Sequence, residues 1–361
     1  MNESNTHIQA PNREPLFDIM KALGIISVVI GHVIPYPSVI RFVYSYHLAL
    51  FFFVTGLQYH LDKYEKDPFS IVPSRLKSMW PSFFLYLTFF TLTNNLFVQL
   101  HLINNGTLYS KSDCLLHIYN NFTFLGGERL GGALWFVPVI LLGTLIFTLL
   151  QYLCSVFLPK YKWQAILLGS LLIGAIALQL ISKGFYLMLF GQTTFLLLPL
   201  ITLGCLLAQK KIPYDKFFRG YIAVPCLAAI IYLVIIKQQY IELSDNMAAP
   251  PLTFYPISLC GIYLIGYLST LIKKNNLLCR MFSFVGKYSF DIMALHFMVF
   301  KIIDVIVGLS LGHSPEVYSA FPSAYPHLWP VYIILSVLVC PFIRVGCHHV
   351  YEKMKAIASS C

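Results

Sequence analysis

Long apolar segments recur along the whole chain, and they restrict it to one class of fold. Each segment is long enough to cross roughly 30 Å of hydrocarbon as a helix. Because backbone N–H and C=O groups in lipid must be satisfied within the segment, helices are expected rather than strands. We therefore predict an all-α, polytopic integral membrane protein with about ten transmembrane helices. The predicted spans are residues 16–34, 44–60, 80–100, 135–157, 164–182, 187–208, 220–237, 252–272, 288–309 and 328–349.

The composition agrees with this class. Of the 361 residues, 58% are hydrophobic and 11% are charged, and the mean hydropathy is +0.72, far from the mix of a soluble globular domain. The first span lacks the pattern of a cleaved signal peptide, and the spans leave no room for a separate soluble domain. We predict a single transmembrane domain over residues 1–361, with short cytoplasmic tails at 1–15 and 350–361.

The orientation follows from the lysines and arginines of the connections. The even-numbered connections hold fourteen of these residues and the odd-numbered ones hold five. Because cytoplasmic loops carry the excess of Lys and Arg, the even connections and both termini are predicted to be cytoplasmic. The fourteen are Lys63, Lys66, Arg75, Lys77, Lys160, Lys162, Lys210, Lys211, Lys216, Arg219, Lys273, Lys274, Arg280 and Lys287.

Charge and cysteine content limit the classes of ligand. The net charge of +10 comes mostly from basic loops, whose expected partner is the headgroup layer of membrane lipid, and no nucleic-acid partner is predicted. Nine cysteines are scattered singly without the CxxC or Cys/His spacing of a zinc site, so no metal site is predicted. The sequence leaves open whether the chain forms a homo-oligomer.

The first predicted span carries ionisable side chains that a simple anchor does not need. In "DIMKALGIISVVIGH", residues 18–32, Lys21 and His32 are eleven positions apart, which is close to three helical turns and about 16 Å. Asp18 stands three positions before Lys21, within pairing distance. Intramembrane ionisable groups by default mark a functional cavity, and an imidazole can take a proton near neutral pH. The alternative is that Asp18 and Lys21 mark the interface, with the lysine snorkelling, and that His32 lies near the end of its span.

Four more candidates lie at or near the ends of predicted spans. His47 opens the second span and is as consistent with an interfacial residue as with a site residue. Arg75 and Lys77 precede the third span, where topology alone explains cations, and where a site for an anionic cytoplasmic ligand would also need them. Trp135 follows a Gly-rich segment at a membrane boundary, where tryptophan is common; stacking on a sugar is the alternative.

The ninth span also carries charge. Lys301 and Asp304 are three residues apart, which predicts an ion pair inside the bundle. Asp291 and His296 are five residues apart, about 140° around a helix, so they are not expected to face one point.

The third connection, 101–134, is the one long connection on the predicted outer side. We predict a short amphipathic helix within it, and loops of this length are often functional. Asn105 and Asn121 stand in N-x-T sequons, which arise often by chance. For Glu128 and Arg129 the sequence favours solvated loop charges, with contact to an acceptor as the alternative.

Five motifs occur in order along most of the chain. They are Asp18 and Lys21 followed by "VIGH" (29–32), "YHLALFFFVTG" (46–56), "RLKSMWP" (75–81), "LWFVP" (134–138), and "GKYSF" (286–290) with His296. Together they resemble the acyltransferase 3 family, ten-span membrane enzymes that O-acylate sugars. The family usually has Arg where this chain has Lys21, and a second Arg in its cytoplasmic motif where this chain has Ser78.

The resemblance implies an enzyme of the inner (cytoplasmic) membrane that moves an acyl group to a sugar hydroxyl. The donor would be acetyl-CoA or another acyl-CoA, and the acceptor a cell-surface glycan or glycolipid. The imidazole would act as general base, and the cations would hold the anionic nucleotide of the donor. The implied residues are His32, Lys21 and Asp18 for catalysis, Arg75 and Lys77 for acyl-CoA, and His47, Trp135 and His296 as further site candidates.

Two alternatives stay open. The transferred group could be another short acyl group such as succinyl, or the polar residues of the first span could line the path of a transporter or flippase for a polar or anionic solute. A transporter would need polar groups through the middle of several helices. Only the first and ninth spans are clearly charged within, which favours the enzyme.

Overall fold

The computed structural model describes residues 14–104, 106–245 and 251–360, and it is a bundle of helices. No β-strand occurs within these ranges, as predicted. The α-helices are α1 (Pro15–Val33), α2 (Pro37–Tyr44), α3 (His47–Leu57), α4 (Leu61–Lys66), α5 (Ile71–Gln99), α6 (Lys111–Phe122), α7 (Phe136–Phe157), α8 (Lys162–Ser182), α9 (Gly191–Gln209), α10 (Tyr214–Phe217), α11 (Gly220–Ile230), α12 (Pro251–Lys273), α13 (Asn276–Lys287), α14 (Ser289–Leu311), α15 (Pro315–Tyr318) and α16 (Trp329–Ser360).

Eight helical segments in the described part of the chain are long and apolar enough to cross a membrane. They confirm the polytopic, all-α class, and each corresponds to one of the ten predicted spans. The other two predicted spans correspond to α5, whose sequence is less apolar, and to the shorter apolar helix Gly220–Ile236. The tail predicted at 350–361 is helical up to Ser360, and the tail predicted at 1–15 lies largely outside the described residues.

Local signals in the sequence set several helix ends. Pro15 starts α1, where a missing N–H costs nothing. Ser110 caps α6 in a reciprocal capping box with Asp113, which confirms the helix predicted in the third connection. Gly312, at φ +66°, ends α14 in the left-handed conformation that glycine adopts without steric cost.

Two clusters of buried apolar side chains form the core, and α1 contributes to both. Its first half places Leu16 and Met20 in a cluster with α3, α7, α8, α9 and α12. Its second half places Ile25 and Val29 in a cluster with α5, α14 and α16. The helix that carries the candidate residues is therefore held from both sides of the bundle.

Glycines allow two close helix crossings. A Cβ on Gly56 of α3 would lie 2.1 Å from the carbonyl oxygen of Ile201 in α9, and a Cβ on Gly286 of α13 would lie 1.8 Å from the carbonyl oxygen of Asp18. At both crossings the side chain of any larger residue would clash with the backbone of the neighbouring helix. Gly286 opens the "GKYSF" motif, so that motif fixes α13 against the start of α1.

The even-numbered connections meet on one side of the molecule. Lys162 pairs with Glu65 at 2.6 Å, and Lys273 pairs with Glu14 at 2.5 Å. Lys211 lines one cavity with residues of the second connection and another with Glu14. We call this the basic side. That it faces the cytoplasm remains a prediction from the charge bias.

The third connection is anchored to α5 on the opposite side, and one prediction about it is wrong. Glu128 is 4% exposed rather than solvated. Its carboxylate accepts hydrogen bonds from Thr91 at 2.7 Å and Tyr109 at 3.1 Å, and lies 2.9 Å from Nδ1 of His117. A buried carboxylate is tolerated because several donors satisfy it. Arg129 is exposed, as expected, and lies over a phenylalanine ring.

The asparagine of one sequon is buried against α5. Asn121 is fully buried and donates to Thr91 Oγ1 at 2.9 Å, so it is not accessible to a glycosylating enzyme in the folded protein. Asn105 lies outside the described residues.

The predicted ion pair within α14 is present. Lys301 Nζ lies 2.5 Å from Asp304 Oδ2, and both side chains are 0% exposed. Lys301 also donates to the carbonyl oxygens of Tyr318 and Ala320, and Asp304 accepts from the hydroxyl of Tyr332. The pair therefore ties α14 to the connection 312–328 and to α16.

Candidate functional site

Two histidines that are 264 residues apart in sequence meet between α1 and α14. Nδ1 of His32 lies 3.1 Å from Nε2 of His296, and the two rings stack at 13° with centroids 5.2 Å apart. His32 is partly exposed, whereas His296 is fully buried. The structure thus brings together two of the candidates named from the sequence, with the accessible one on α1.

Backbone hydrogen bonds determine which nitrogen of each ring carries the proton. Nδ1 of His296 lies 3.0 Å from the carbonyl oxygens of Ile292 and Met293. A carbonyl oxygen only accepts, so this Nδ1 is protonated and, in the neutral ring, Nε2 accepts. Nδ1 of His32 must then donate to it, and the lone pair of His32 resides on Nε2. Within the described residues no hydrogen bond occupies that nitrogen. The arrangement presents an oriented, accessible base.

Two aromatic rings flank His32. The ring centroid of His32 lies 4.8 Å from that of Phe297 and 6.4 Å from that of Tyr44. Tyr44 packs on Gly31, where a Cβ would come within 2.2 Å of the tyrosine ring. His47 is buried, bonds to the carbonyl oxygen of Val43 at 2.9 Å, and contacts Tyr44 at 4.9 Å. His47 therefore stands behind Tyr44 rather than beside His32.

Asp18 and Lys21 form the pair that their spacing predicts. Their charged atoms are 2.9 Å apart, Asp18 is buried, and Lys21 is partly exposed. Because they precede His32 by three to four turns of α1, they lie towards the basic side of the bundle, while His32 lies towards the opposite side. The charged pair and the base are thus at different depths along one helix.

The two candidates on α5 have different surroundings. Lys77 is exposed, whereas Arg75 is half-buried and follows Ser74, whose hydroxyl accepts a hydrogen bond from Tyr64 at 3.3 Å. Nε of Arg75 is buried without a hydrogen-bond partner among the described residues. A buried, unpaired donor on a guanidinium is costly, so this group is suited to an acceptor that the folded chain does not itself supply.

Gln151 is a polar residue of α7 that the sequence analysis missed. It is 1% exposed, and Tyr59, whose hydroxyl also touches Thr148, donates to Gln151 Oε1 at 2.7 Å. Nε2 of Gln151 has no partner within the described chain. The signal was a glutamine in the middle of the apolar run "LIFTLLQYLCSVF".

A small cavity lies between the basic side and the histidine pair. Its volume is about 100 Å³, and its lining is apolar apart from Ser289. Met79, one helical turn after Arg75, lines it from α5, and Met293, one turn before His296, lines it from α14. The cavity therefore lies within about one helical turn of Arg75 along α5 and of His296 along α14.

Two residues stand apart from the histidine pair. Trp135 contacts Phe190 at 4.7 Å and Phe136 at 6.0 Å between ring centroids, so its described ring contacts are with the core around α7 and α9. Asp291 accepts a hydrogen bond from Tyr86 at 2.6 Å and lies 3.8 Å from Arg344. Asp291 and His296 thus have separate partners, as their spacing predicts.

On the side opposite the basic loops, the connection 237–245 approaches Tyr44. The rings of Tyr240 and Tyr44 stack at 17°, with centroids 6.3 Å apart. The Tyr240 hydroxyl donates to Glu242 at 3.4 Å. Burial raises the pKa of the Glu242 carboxyl above its usual range and, together with that carboxylate, raises the pKa of Tyr240 to about 12. Tyr44 thus lies between the ring of His32 on one side and Tyr240, with its partner Glu242, on the other.

Comparison with known families gives one further finding. A family model described as an acyltransferase domain matches residues 15–345, nearly the whole chain, and this range contains every candidate site residue. No curated protein and no solved structure matches the chain.

Proposed function

The chain belongs to the acyltransferase 3 family, and on that basis we propose that this membrane acyltransferase moves a short acyl group, acetyl above all, from cytoplasmic acyl-CoA to a sugar hydroxyl of a cell-surface glycan or glycolipid. The observation that carries this proposal is the His32–His296 pair, which leaves one accessible imidazole nitrogen free to accept a proton. Both members of the pair lie within the matched range.

In the proposed reaction, Nε2 of His32 takes the proton of the acceptor hydroxyl as the hydroxyl oxygen attacks the thioester carbonyl carbon. The new C–O bond forms, the C–S bond breaks, and the thiolate leaves as a thiol after receiving the proton from the imidazolium. His296 keeps the proton on Nδ1 of His32 in place. A positioned base of this kind contributes roughly 10²–10⁴-fold.

The donor is proposed to enter from the basic side. Arg75 has an unpaired buried donor there, which can donate to an acceptor oxygen of the acyl donor. Lys77 is exposed next to it and would add to the positive field without forming a fixed contact. Lys21 is held by Asp18 at 2.9 Å, and in this proposal the pair orients the lysine towards the donor path along α1.

The cavity of about 100 Å³ supports acetyl over succinyl as the transferred group. Its lining offers one hydroxyl, from Ser289, and no cation. The carboxylate of a succinyl group would be buried there without a charged partner, which is strongly unfavourable. An acetyl methyl group would fit an apolar lining of this kind.

The groups between His32 and the side of the bundle opposite the basic side support a sugar as the acceptor. Tyr44 and Tyr240 present flat aromatic faces, and Glu242 offers carboxylate oxygens. Such groups suit the C–H faces and the O–H donors of a sugar. The acceptor would reach His32 from the side opposite the donor.

The proposal is tested in membranes that contain the protein, with labelled acetyl-CoA, labelled succinyl-CoA and a panel of glycans and glycolipids as acceptors. We expect label from acetyl-CoA to appear on the acceptor, and much less from succinyl-CoA, because only the acetyl group fits an uncharged cavity. The control is a membrane preparation from cells without the protein. Chromatography of the acceptor after the reaction gives the readout.

Equal transfer from both donors would contradict only the assignment of acetyl as the transferred group, and not the proposed reaction. Uptake of a polar solute that needs no acyl-CoA, without any acyl transfer, would contradict the proposed reaction and favour the transporter alternative.

A further inference from the structure

Among the described residues, the buried amide of Gln151 has one end without a hydrogen-bond partner. The residue is 1% exposed. It is held by Tyr59, which follows α3 and bonds Gln151 at 2.7 Å and Thr148 of α7 at 2.9 Å. Glutamine carries considerable side-chain entropy when mobile, and this network fixes it in one place.

One end of this amide stays unoccupied whichever way the planar group is turned. As assigned, Oε1 accepts from Tyr59 and Nε2 is unpaired. With nitrogen and oxygen exchanged, the nitrogen would donate to Tyr59 and the oxygen would be unpaired. The amide plane is symmetric in shape, so either assignment is compatible with the same atoms. A buried, unpaired amide end costs free energy in both cases.

A second unpaired group lies near the same tyrosine. Arg75 follows Ser74, whose hydroxyl accepts a hydrogen bond from Tyr64 at 3.3 Å, and the ring centroids of Tyr64 and Tyr59 are 5.2 Å apart. The buried Nε of Arg75 has no partner among the described residues. Tyr59 also lines a cavity of about 640 Å³ with Lys63, Cys205 and Lys211 on the basic side. Two buried polar groups without partners in the described part of the chain therefore lie near Tyr59, and Tyr59 borders a cavity large enough for part of a cofactor-sized ligand.

We propose that Gln151 and Arg75, positioned around Tyr59, bind a secondary amide of the pantetheine arm of the acyl donor. This inference rests on the proposed function, and it names the part of the donor that the site recognises. A secondary amide offers both an N–H and a C=O, so it pairs with the free end of Gln151 in either orientation of the glutamine, while its carbonyl oxygen accepts from Nε of Arg75.

The phosphates of the donor suit this position less well than the arm does. A phosphate oxygen only accepts, and burying its charge next to a neutral amide and a single guanidinium nitrogen would leave much of that charge unpaired. The exposed lysines at the rim of the basic side, Lys63 and Lys211 among them, suit phosphates better. Buried amide and guanidinium groups would then bind the pantetheine arm of the donor, and exposed lysines would bind its phosphates.

The test measures binding of three probes to the purified full-length protein in detergent, without any acceptor. The probes are acetyl-CoA, S-acetylpantetheine, which has the amides but no nucleotide, and 3′,5′-ADP, which has phosphates but no amides. Replacing Gln151 with leucine is expected to weaken acetyl-CoA and S-acetylpantetheine about tenfold, the loss of roughly one hydrogen bond, and to leave 3′,5′-ADP unchanged.

The matched control is Gln179→Leu, which removes an exposed glutamine of α8 and should change none of the three affinities. Tyr59→Phe is the second variant, since it frees the Gln151 amide without removing it, and should weaken the same two probes to a smaller extent. The unfolding temperature without ligand checks that each variant is folded.

Two results would overturn the inference while leaving the proposed function intact: equal binding of S-acetylpantetheine by Gln151→Leu and the wild type, or a loss confined to 3′,5′-ADP. A wild-type protein that binds neither acetyl-CoA nor S-acetylpantetheine would overturn the proposed function and this inference with it. Because acceptor is absent from the assay, these outcomes are separable from any failure in sugar recognition.

Discussion

Replacing His32 with glutamine is expected to lower the rate of acyl transfer roughly 10²–10⁴-fold, the usual contribution of a positioned general base. Glutamine has similar size and can still donate towards His296 from its amide, but it has no lone pair of comparable basicity. The affinity for acetyl-CoA should stay within about twofold, because the proposed donor site lies on the other side of the bundle and affinity and rate report different steps. The measurement is the rate of label transfer to the acceptor together with donor binding.

The control for this substitution is His327→Gln, an exposed histidine that should transfer at the wild-type rate. His296→Leu should give an intermediate loss, because His32 keeps its base but loses the partner that orients its proton. His296→Gln, which restores an acceptor, should recover part of that loss. Full transfer by His32→Gln would contradict the assignment of the base.

Replacing Asp304 with alanine is expected to destabilise the protein by about 3–5 kcal/mol, the cost of leaving a buried charge without its partner. Lys301 and Asp304 are both 0% exposed. Without the carboxylate, the ammonium group would retain only the two carbonyl oxygens of the connection 312–328, and the hydroxyl of Tyr332 would lose its acceptor. The readout is the thermal unfolding midpoint of the detergent-solubilised protein.

The matched control removes a carboxylate from an exposed pair. Glu65 lies 2.6 Å from Lys162 but is 40% exposed, and such pairs contribute about 0–1 kcal/mol. Glu65→Ala should therefore leave the midpoint nearly unchanged. If Asp304→Ala lowered it no further than Glu65→Ala does, the pair would not be the tie between α14 and α16 described above.

The fold class could be predicted from sequence because the requirement to satisfy backbone groups in lipid acts on each segment by itself. The same local character explains why the Asp18–Lys21 and Lys301–Asp304 pairs were predictable, since both lie at i and i+3 on one helix. The helix of the third connection was predictable too, and its start is set by the local capping box at Ser110.

The arrangement of the site depends on contacts between distant helices, which no local pattern encodes. His296 was a candidate only through the resemblance, and its contact with His32 requires α14 to pack beside α1. Glu128 was misjudged because its burial comes from Thr91 on another helix. Gln151 was overlooked for the same reason, although a single glutamine within an apolar span is a visible signal of a buried polar contact.

The most direct test of the central claim is a cryo-electron microscopy structure of the protein with a non-reactive acetyl-CoA analogue bound. We expect the carbonyl carbon of the analogue within roughly 6 Å of His32 Nε2, the reach of a base acting through an acceptor hydroxyl. We expect its pantetheine arm near Arg75 and its nucleotide at the exposed lysines of the basic side. An analogue bound with its acyl group at a different part of the bundle, or an imidazole turned towards the lipid and separated from the donor, would contradict the central claim.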